Sequence, residues 1–217
     1  MRRVRRLCRR AGIDGRAHST RLGIVGASGN IGAALAWQLT HGDSPFHRVV
    51  LVGRRESALI AQAEALRRDT GCEVEWSCTL SALRACNVIV IATGTNEPLL
   101  YPRHLRHSGP VIVADLSVPS ILAPETRALR NVRLVSLAGN IVVNGTPDFV
   151  MASHIPAGTA FSCAGEAMLL GLAANETAGL DLRGSIRPEN MNVLERLAEQ
   201  FGMLGATRRP PPGGAVK

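Results

Sequence analysis

The sequence predicts an α/β protein, a doubly wound parallel sheet with C-terminal helices packing on it. Short apolar runs alternate with longer stretches of helical period along most of the chain, as strands joined by crossover helices do. The run Val88-Ile89-Val90-Ile91 is apolar without interruption, as a strand buried on both faces requires. Glycines at 26, 29 and 32 stand between the first apolar run and the first helix-like stretch.

The elements follow in order. Residues 1–12 read as the end of a helix, with Val4, Leu7, Cys8 and Ala11 on one face. It begins without an N-cap, so residues 1–20 are expected to be a leading helix and linker that close a preceding domain. Strand 22–26 leads to helix 30–40, and strand 48–53 to helix 56–69. A short strand at Glu73-Val74-Glu75-Trp76 precedes a helix near Leu80–Ala85. Further strands are expected at 87–92, 110–115 and 133–137. A helix is expected from about Thr159 to Ala174, with Ala160, Cys163, Ala164, Ala167, Leu170 and Gly171 at helical spacing. Another follows around 188–200. Residues 21–204 thus read as one domain. The Pro- and Gly-rich stretch within 205–217 reads as a disordered tail.

Strand, glycine turn, helix is the order that a dinucleotide pyrophosphate needs. In Val25-Gly26-Ala27-Ser28-Gly29-Asn30-Ile31-Gly32, Gly26 allows a tight turn. Gly29 removes a side chain where phosphates approach, and Gly32 lets the helix pack close to the strand. The sheet is therefore expected to be Rossmann-like. The next strand ends in Arg54-Arg55, where NAD-selective sites usually carry an acid for the ribose 2′-hydroxyl. Two guanidiniums suit a 2′-phosphate instead, which favours NADPH over NADH; the other reading is that they are solvated arginines. Strand four ends in Thr93-Gly94-Thr95-Asn96, small residues that suit close approach of a nicotinamide ribose. Asp115-Leu116-Ser117-Val118-Pro119 and Ala138-Gly139-Asn140 end the next two strands, so three polar clusters share one edge.

The net charge is +8, yet lysine occurs once, at Lys217. Apart from the run 2–10 the arginines are scattered, and the seven aromatics form no stacking pattern with them, so nucleic acid is not an expected partner. The charge reads as solubility plus an anionic ligand. No apolar run is long enough for a membrane span, and the Arg-rich start is followed by no apolar core and cleavage site. The five cysteines are irregularly spaced, with no Cys-x-x-Cys pair, so a reducing cytoplasm is expected. Tyr101 lacks a lysine four residues on, which excludes the Tyr-x-x-x-Lys chemistry of short-chain dehydrogenases. A shikimate-dehydrogenase Lys–Asp pair is equally poorly served by Lys217.

Cys8 sits on the leading helix, Cys72 follows Gly71 in a turn, and Cys78 and Cys86 read as small core fillers flanking a short helix. Cys163 differs: Thr159 can cap the helix that follows, which places the thiol in the first turn, where unpaired N–H groups favour a thiolate. Glu166 lies on the same face and suits orienting groups or handling a proton. Spacing alone favours a buried structural cysteine over a nucleophile. His154 reads as a loop histidine or a proton carrier. His104 and His107 have no matching carboxylate, so no metal is expected.

The stretch Phe161-Ser162-Cys163-Ala164-Gly165-Glu166-Ala167-Met168-Leu169-Leu170 resembles the long-chain acyl-[acyl-carrier-protein] reductases. The glycine turn and Leu7–Asp14 are similar to the same family, and the likeness runs from about residue 7 to 203. It implies that Cys163 attacks an acyl thioester, borne on acyl carrier protein or coenzyme A, and that NADPH reduces the acyl-enzyme to a fatty aldehyde. It further implies that Gly26, Ser28, Gly29, Asn30, Ile31 and Arg54 hold the cofactor. The family's N-terminal domain has no counterpart here. Asp115-x-x-Val118-Pro119 is closer to glutamyl-tRNA reductases. Two other readings therefore stand: an NADP oxidoreductase domain of the shikimate or glutamyl-tRNA reductase type, and a nucleotide-binding module without catalysis.

Overall fold

The computed structural model describes residues 20–41, 44, 46–136, 140–143, 145–153, 155–182, 184 and 186–203. The expected leading helix and tail lie outside them. The described residues form two compact units.

The first unit holds six parallel strands: β1 (Leu22–Val25), β2 (Arg48–Val52), β3 (Glu73–Ser77), β4 (Val88–Ile91), β5 (Val111–Asp115) and β6 (Val132–Ser136). Their order is β3-β2-β1-β4-β5-β6, the expected Rossmann-like sheet. Chain order reverses between β1 and β4, so ligand space opens at the carboxyl ends of those two strands. In β1, β4 and β5 every residue is buried. Alternation sends Leu22, Ile24, Val88 and Val90 into the core on one face. Val25, Ile89 and Ile91 enter the core on the other. At the edge, β3 keeps Glu73 and Glu75 in solvent.

Helix α1 (Asn30–Thr40) follows β1, and α2 (Glu56–Thr70) follows β2. Gly71 stops α2 in the left-handed conformation, at φ 68°, its N–H donating to the Arg67 carbonyl. Residues Leu80–Ala85 form a 3-10 turn, not the expected α-helix. Six residues give too few i→i−4 bonds to offset nucleation, and Leu83 alone is buried there. A second such turn spans Pro102–His104, and α3 is one turn at Pro124–Arg127.

The second unit contains β7 (Asn140–Val142), β8 (Thr159–Phe161), α4 (Ser162–Leu172), α5 (Ala174–Thr177) and most of α6 (Pro188–Gln200). β7 and β8 pair antiparallel, with Ile141 opposite Ala160. This corrects the helix expected from Thr159: residues 159–161 extend to pair, and the helix begins three residues later. Gly165 lets α4 lie against β7, since a Cβ there would stand 1.9 Å from Cδ1 of Ile141. Leu169, Ala173, Leu197 and Met203 form this unit's core, with Val193 and Phe201 packed against it.

Candidate functional site

The glycine turn sits at the switch point. Gly26 has φ +81°, and a Cβ on it would fall 2.1 Å from the Ala92 carbonyl oxygen at the end of β4. The Gly26 and Ala27 N–H groups both donate to the Val52 carbonyl, at 2.9 and 3.0 Å, which ties the turn to the end of β2. A Cβ on Gly32 would stand 2.2 Å from the Gly26 carbonyl oxygen, so only glycine lets α1 begin so close to the turn.

Gly29 is exposed and caps α1 without a side-chain hydrogen bond, and the helix's first turn carries no acid. The N-terminus of this 11-residue helix thus carries no carboxylate on its first turn to oppose an anion. Ser28 is half-buried; a Cβ on Gly53 would meet its Oγ at 2.8 Å, so Gly53 gives the serine room. The Arg55 guanidinium donates to the Ser28 carbonyl oxygen. Arg54 is exposed and has no side-chain partner among the described residues. Asn30 and Ile31 are both exposed, and the Asn30 amide donates to the Gly184 carbonyl at 2.8 Å. Thr93 is half-buried and Gly94 exposed just past β4.

Two polar groups were not among the expected cofactor contacts. The hydroxyls of Ser77, Thr79 and Ser81 bond in series beyond β3, at 3.1 and 2.9 Å, and Gly53 N–H donates to the Ser77 carbonyl at 3.3 Å. Alternation marked β3, but nothing in the sequence marked its end as part of the ligand edge. At the end of β5, Asp115 is buried. Its carboxylate accepts the Ser117 N–H at 2.9 Å and the Ser120 hydroxyl at 2.6 Å. The signal there was the strand-end cluster itself.

In the second unit, Cys163 is the second residue of α4, and it is exposed. The helix begins after Phe161 with no side-chain cap, so Thr159 does not cap it; its hydroxyl donates to the Pro156 carbonyl at 2.6 Å. Glu166, one turn on, is exposed too. Cys86 is buried, as expected of a core filler, and Cys72 is buried too. Cys72 donates to the Phe46 carbonyl at 3.3 Å. Burial pushes the Cys86 thiol up to about 12, which removes it as a nucleophile. Cys78, expected as a core filler, is exposed, because residue 78 falls in a bend between β3 and the 3-10 turn. His154 lies outside the described residues. His104 caps its own turn, its Nδ1 accepting the Tyr101 N–H at 3.2 Å. Burial, then the charges of Arg103 and Arg84, lower its pKa. Among the described residues no cluster suits a metal ion, and no helix is long and apolar enough to cross a membrane.

A parallel sheet with this order, and a glycine cradle opening at its switch point, define an NAD(P)-binding Rossmann domain of the oxidoreductase type. The chain belongs to the family of the semialdehyde dehydrogenase NAD-binding domain, whose model matches residues 21–158. No curated protein matches it. It is similar to the Thermococcus litoralis Δ1-pyrroline-2-carboxylate reductase, solved with NADH and L-proline: 16% identity, TM-score 0.43, covering 57% of this chain and 40% of that one. The 5-ketofructose reductase of a Gluconobacter species matches at 18% identity and TM-score 0.42, over 58% of this chain and 47% of that one. A Sphingobium yanoikuyae short-chain dehydrogenase, solved with NADPH, matches at 20% identity and TM-score 0.34, over 44% and 52%. The matched region thus spans about half or less of each of these structures.

Proposed function

We propose that the chain is an NADPH-dependent reductase of acyl thioesters that works through an acyl-enzyme on Cys163. The observation that carries this reading is the contrast among the cysteines. Among the described cysteines, Cys163 alone combines exposure with a place in the first turn of an α-helix, while Cys72 and Cys86 are buried. The exposed sulfur is open to a substrate, and a soft sulfur nucleophile suits attack on a thioester carbon.

In this mechanism the Cys163 sulfur forms a bond to the acyl carbonyl carbon, and the carbon–sulfur bond to the carrier breaks. The carrier leaves as a thiolate and takes up a proton. Bound NADPH supplies the hydride that converts the acyl-enzyme to an aldehyde and frees the Cys163 sulfur. Glu166 stands on the same face as Cys163 and would orient the groups that react there. Gly26, Gly29 and Gly32 would admit the pyrophosphate to the α1 N-terminus, with Ser28, Asn30 and Ile31 along its rim. Arg54 and Arg55 would take the 2′-phosphate, and Thr93 and Gly94 would border the nicotinamide ribose. An acyl carrier protein or coenzyme A would bear the substrate.

The test is NADPH oxidation with acyl-carrier-protein and acyl-coenzyme A thioesters, with aldehyde measured as product. Cys163→Ala is expected to lower turnover by at least about a thousand-fold while NADPH binding persists. Turnover that survives this substitution would remove the cysteine mechanism. It would leave an oxidoreductase acting on another carbonyl.

A further inference from the structure

The second unit carries two cavities, both against α4. The larger, about 540 Å³, is lined by Ala167, Met168, Gly171 and Leu172 of α4 and by Phe201 and Met203 after α6. No described side chain in its wall is polar. The smaller, about 240 Å³, shares Met203 with it and is bordered by Ser162 and Glu166, in the turn that carries Cys163. Along α4 the wall therefore changes from partly polar beside the thiol to wholly apolar beyond it.

Gly171 singles the larger space out. Glycine within a helix is less stable than alanine, so its presence calls for a reason. Gly165 in the same helix has one in packing, because a Cβ there would stand 1.9 Å from Cδ1 of Ile141. Gly171 has no such reason. Its φ is not left-handed, and a Cβ on it would meet no atom within 4 Å. What a side chain at 171 would take is room in the cavity. The position is also aligned with the thiol. Cys163, Ala167 and Gly171 recur at intervals of four, so they share one stripe of α4, and all three are exposed. Leu172, the next residue, is 62% exposed, an apolar side chain left without cover.

Resting on the Cys163 reading above, we infer that the larger cavity takes the aliphatic tail of the acyl group carried by Cys163, and that Gly171 sets the length of tail it admits. The ligand class follows from the wall. A polar acyl group needs a charge or a hydrogen-bond partner to offset the water it loses, and the described wall offers neither. An unbranched hydrocarbon needs only apolar surface, and each methylene buried is worth about four-fold in binding. The polar groups that the smaller cavity offers, Ser162 and Glu166, lie beside the thiol, where the thioester carbonyl would sit.

Gly171→Leu fills the space without altering the thiol. The variant is expected to melt at or above the wild-type temperature, since leucine favours the helix and a Cβ there meets nothing. A lower melting temperature would mean the space is already filled, and would overturn the inference. Acylation of Cys163 is then followed by mass spectrometry with butanoyl- and dodecanoyl-coenzyme A and no reductant. Wild-type protein is expected to react faster with the dodecanoyl thioester. In Gly171→Leu the ratio of dodecanoyl to butanoyl rates is expected to fall about fifteen-fold, the effect of two methylenes denied burial. An unchanged ratio, or a wild-type preference for butanoyl, overturns this inference and leaves the Cys163 reading intact. A wild-type dimer in sedimentation that Gly171→Leu dissociates would give the cavity to a second copy of the chain, and overturns it too. Wild-type protein in which neither thioester acylates Cys163 overturns both.

Discussion

Four glycines allow the two penalties at the cofactor turn to be measured apart. Gly94 has no left-handed φ, and a Cβ on it would meet no atom within 4 Å, so Gly94→Ala is expected to change stability by less than about 0.5 kcal/mol. Gly71 has φ +68° with nothing within 4 Å, and its alanine variant carries the conformational cost alone, about 1–2 kcal/mol. Gly32 lacks the φ but would place Cβ 2.2 Å from a backbone oxygen; overpacking of that kind costs about 1–3 kcal/mol, partly offset by alanine's helix propensity. Gly26 combines a φ of +81° with a Cβ 2.1 Å from the Ala92 oxygen. Ala92 has little room to retreat, because its N–H donates to the Val25 carbonyl at 2.9 Å and β4 is paired on both sides. Gly26→Ala is therefore expected to cost about 2–5 kcal/mol, the most of the four. Urea unfolding followed by tryptophan fluorescence is the assay. Both tryptophans, Trp37 and Trp76, lie in the sheet-bearing unit, so the signal reports that unit alone. The midpoint should fall by about 1–2 M for Gly26→Ala. A Gly26→Ala midpoint equal to that of Gly94→Ala would refute the geometry assigned to the turn.

Other consequences follow from the same geometry. Arg54→Ala should weaken NADPH binding about ten-fold or more and leave NADH within about two-fold, since one charge-assisted contact to a 2′-phosphate is lost; equal losses in calorimetry would contradict this. Iodoacetamide at pH 8.5 should label Cys163 and Cys78 in the folded protein and spare Cys86, whose thiol stays protonated far above that pH; peptide mapping that finds Cys86 labelled as fast as Cys78 would contradict its burial. Because folding lowers the pKa of His104 from about 6.5, its contribution to stability is present above that pH and fades as pH falls through the folded value. His104→Gln should flatten the acid side of the urea-midpoint curve, and an unchanged slope would assign it elsewhere. In the second unit, Gly165→Ala should cost about 1–3 kcal/mol, and adding Ile141→Val should restore part of it; circular dichroism melts that show no restoration would break the proposed contact.

The sheet was legible in the sequence because its central strands are buried on both faces, which leaves unbroken apolar runs such as 88–91. The glycine turn was legible because steric exclusion at Gly26 and Gly32 admits a single residue type. The β7–β8 pair was not. Its strands are three residues each, and Thr159-Ala160-Phe161 continues a helical pattern until Ile141 pairs with Ala160. Local periodicity therefore extends α4 backward and assigns Thr159 a cap that Phe161 occupies. Cys78 is misplaced by the sequence for a similar reason. A small apolar residue beside a helix reads as core until the bend at 78–79 turns it outward.

The central claim is a covalent one, and intact-protein mass spectrometry reads it directly. Incubation with an acyl thioester and no reductant should add one acyl group, mapped to the peptide carrying Cys163, and later addition of NADPH should remove it as aldehyde. An adduct on Cys78 instead, or steady NADPH-driven turnover through no acylated cysteine at all, would contradict the account.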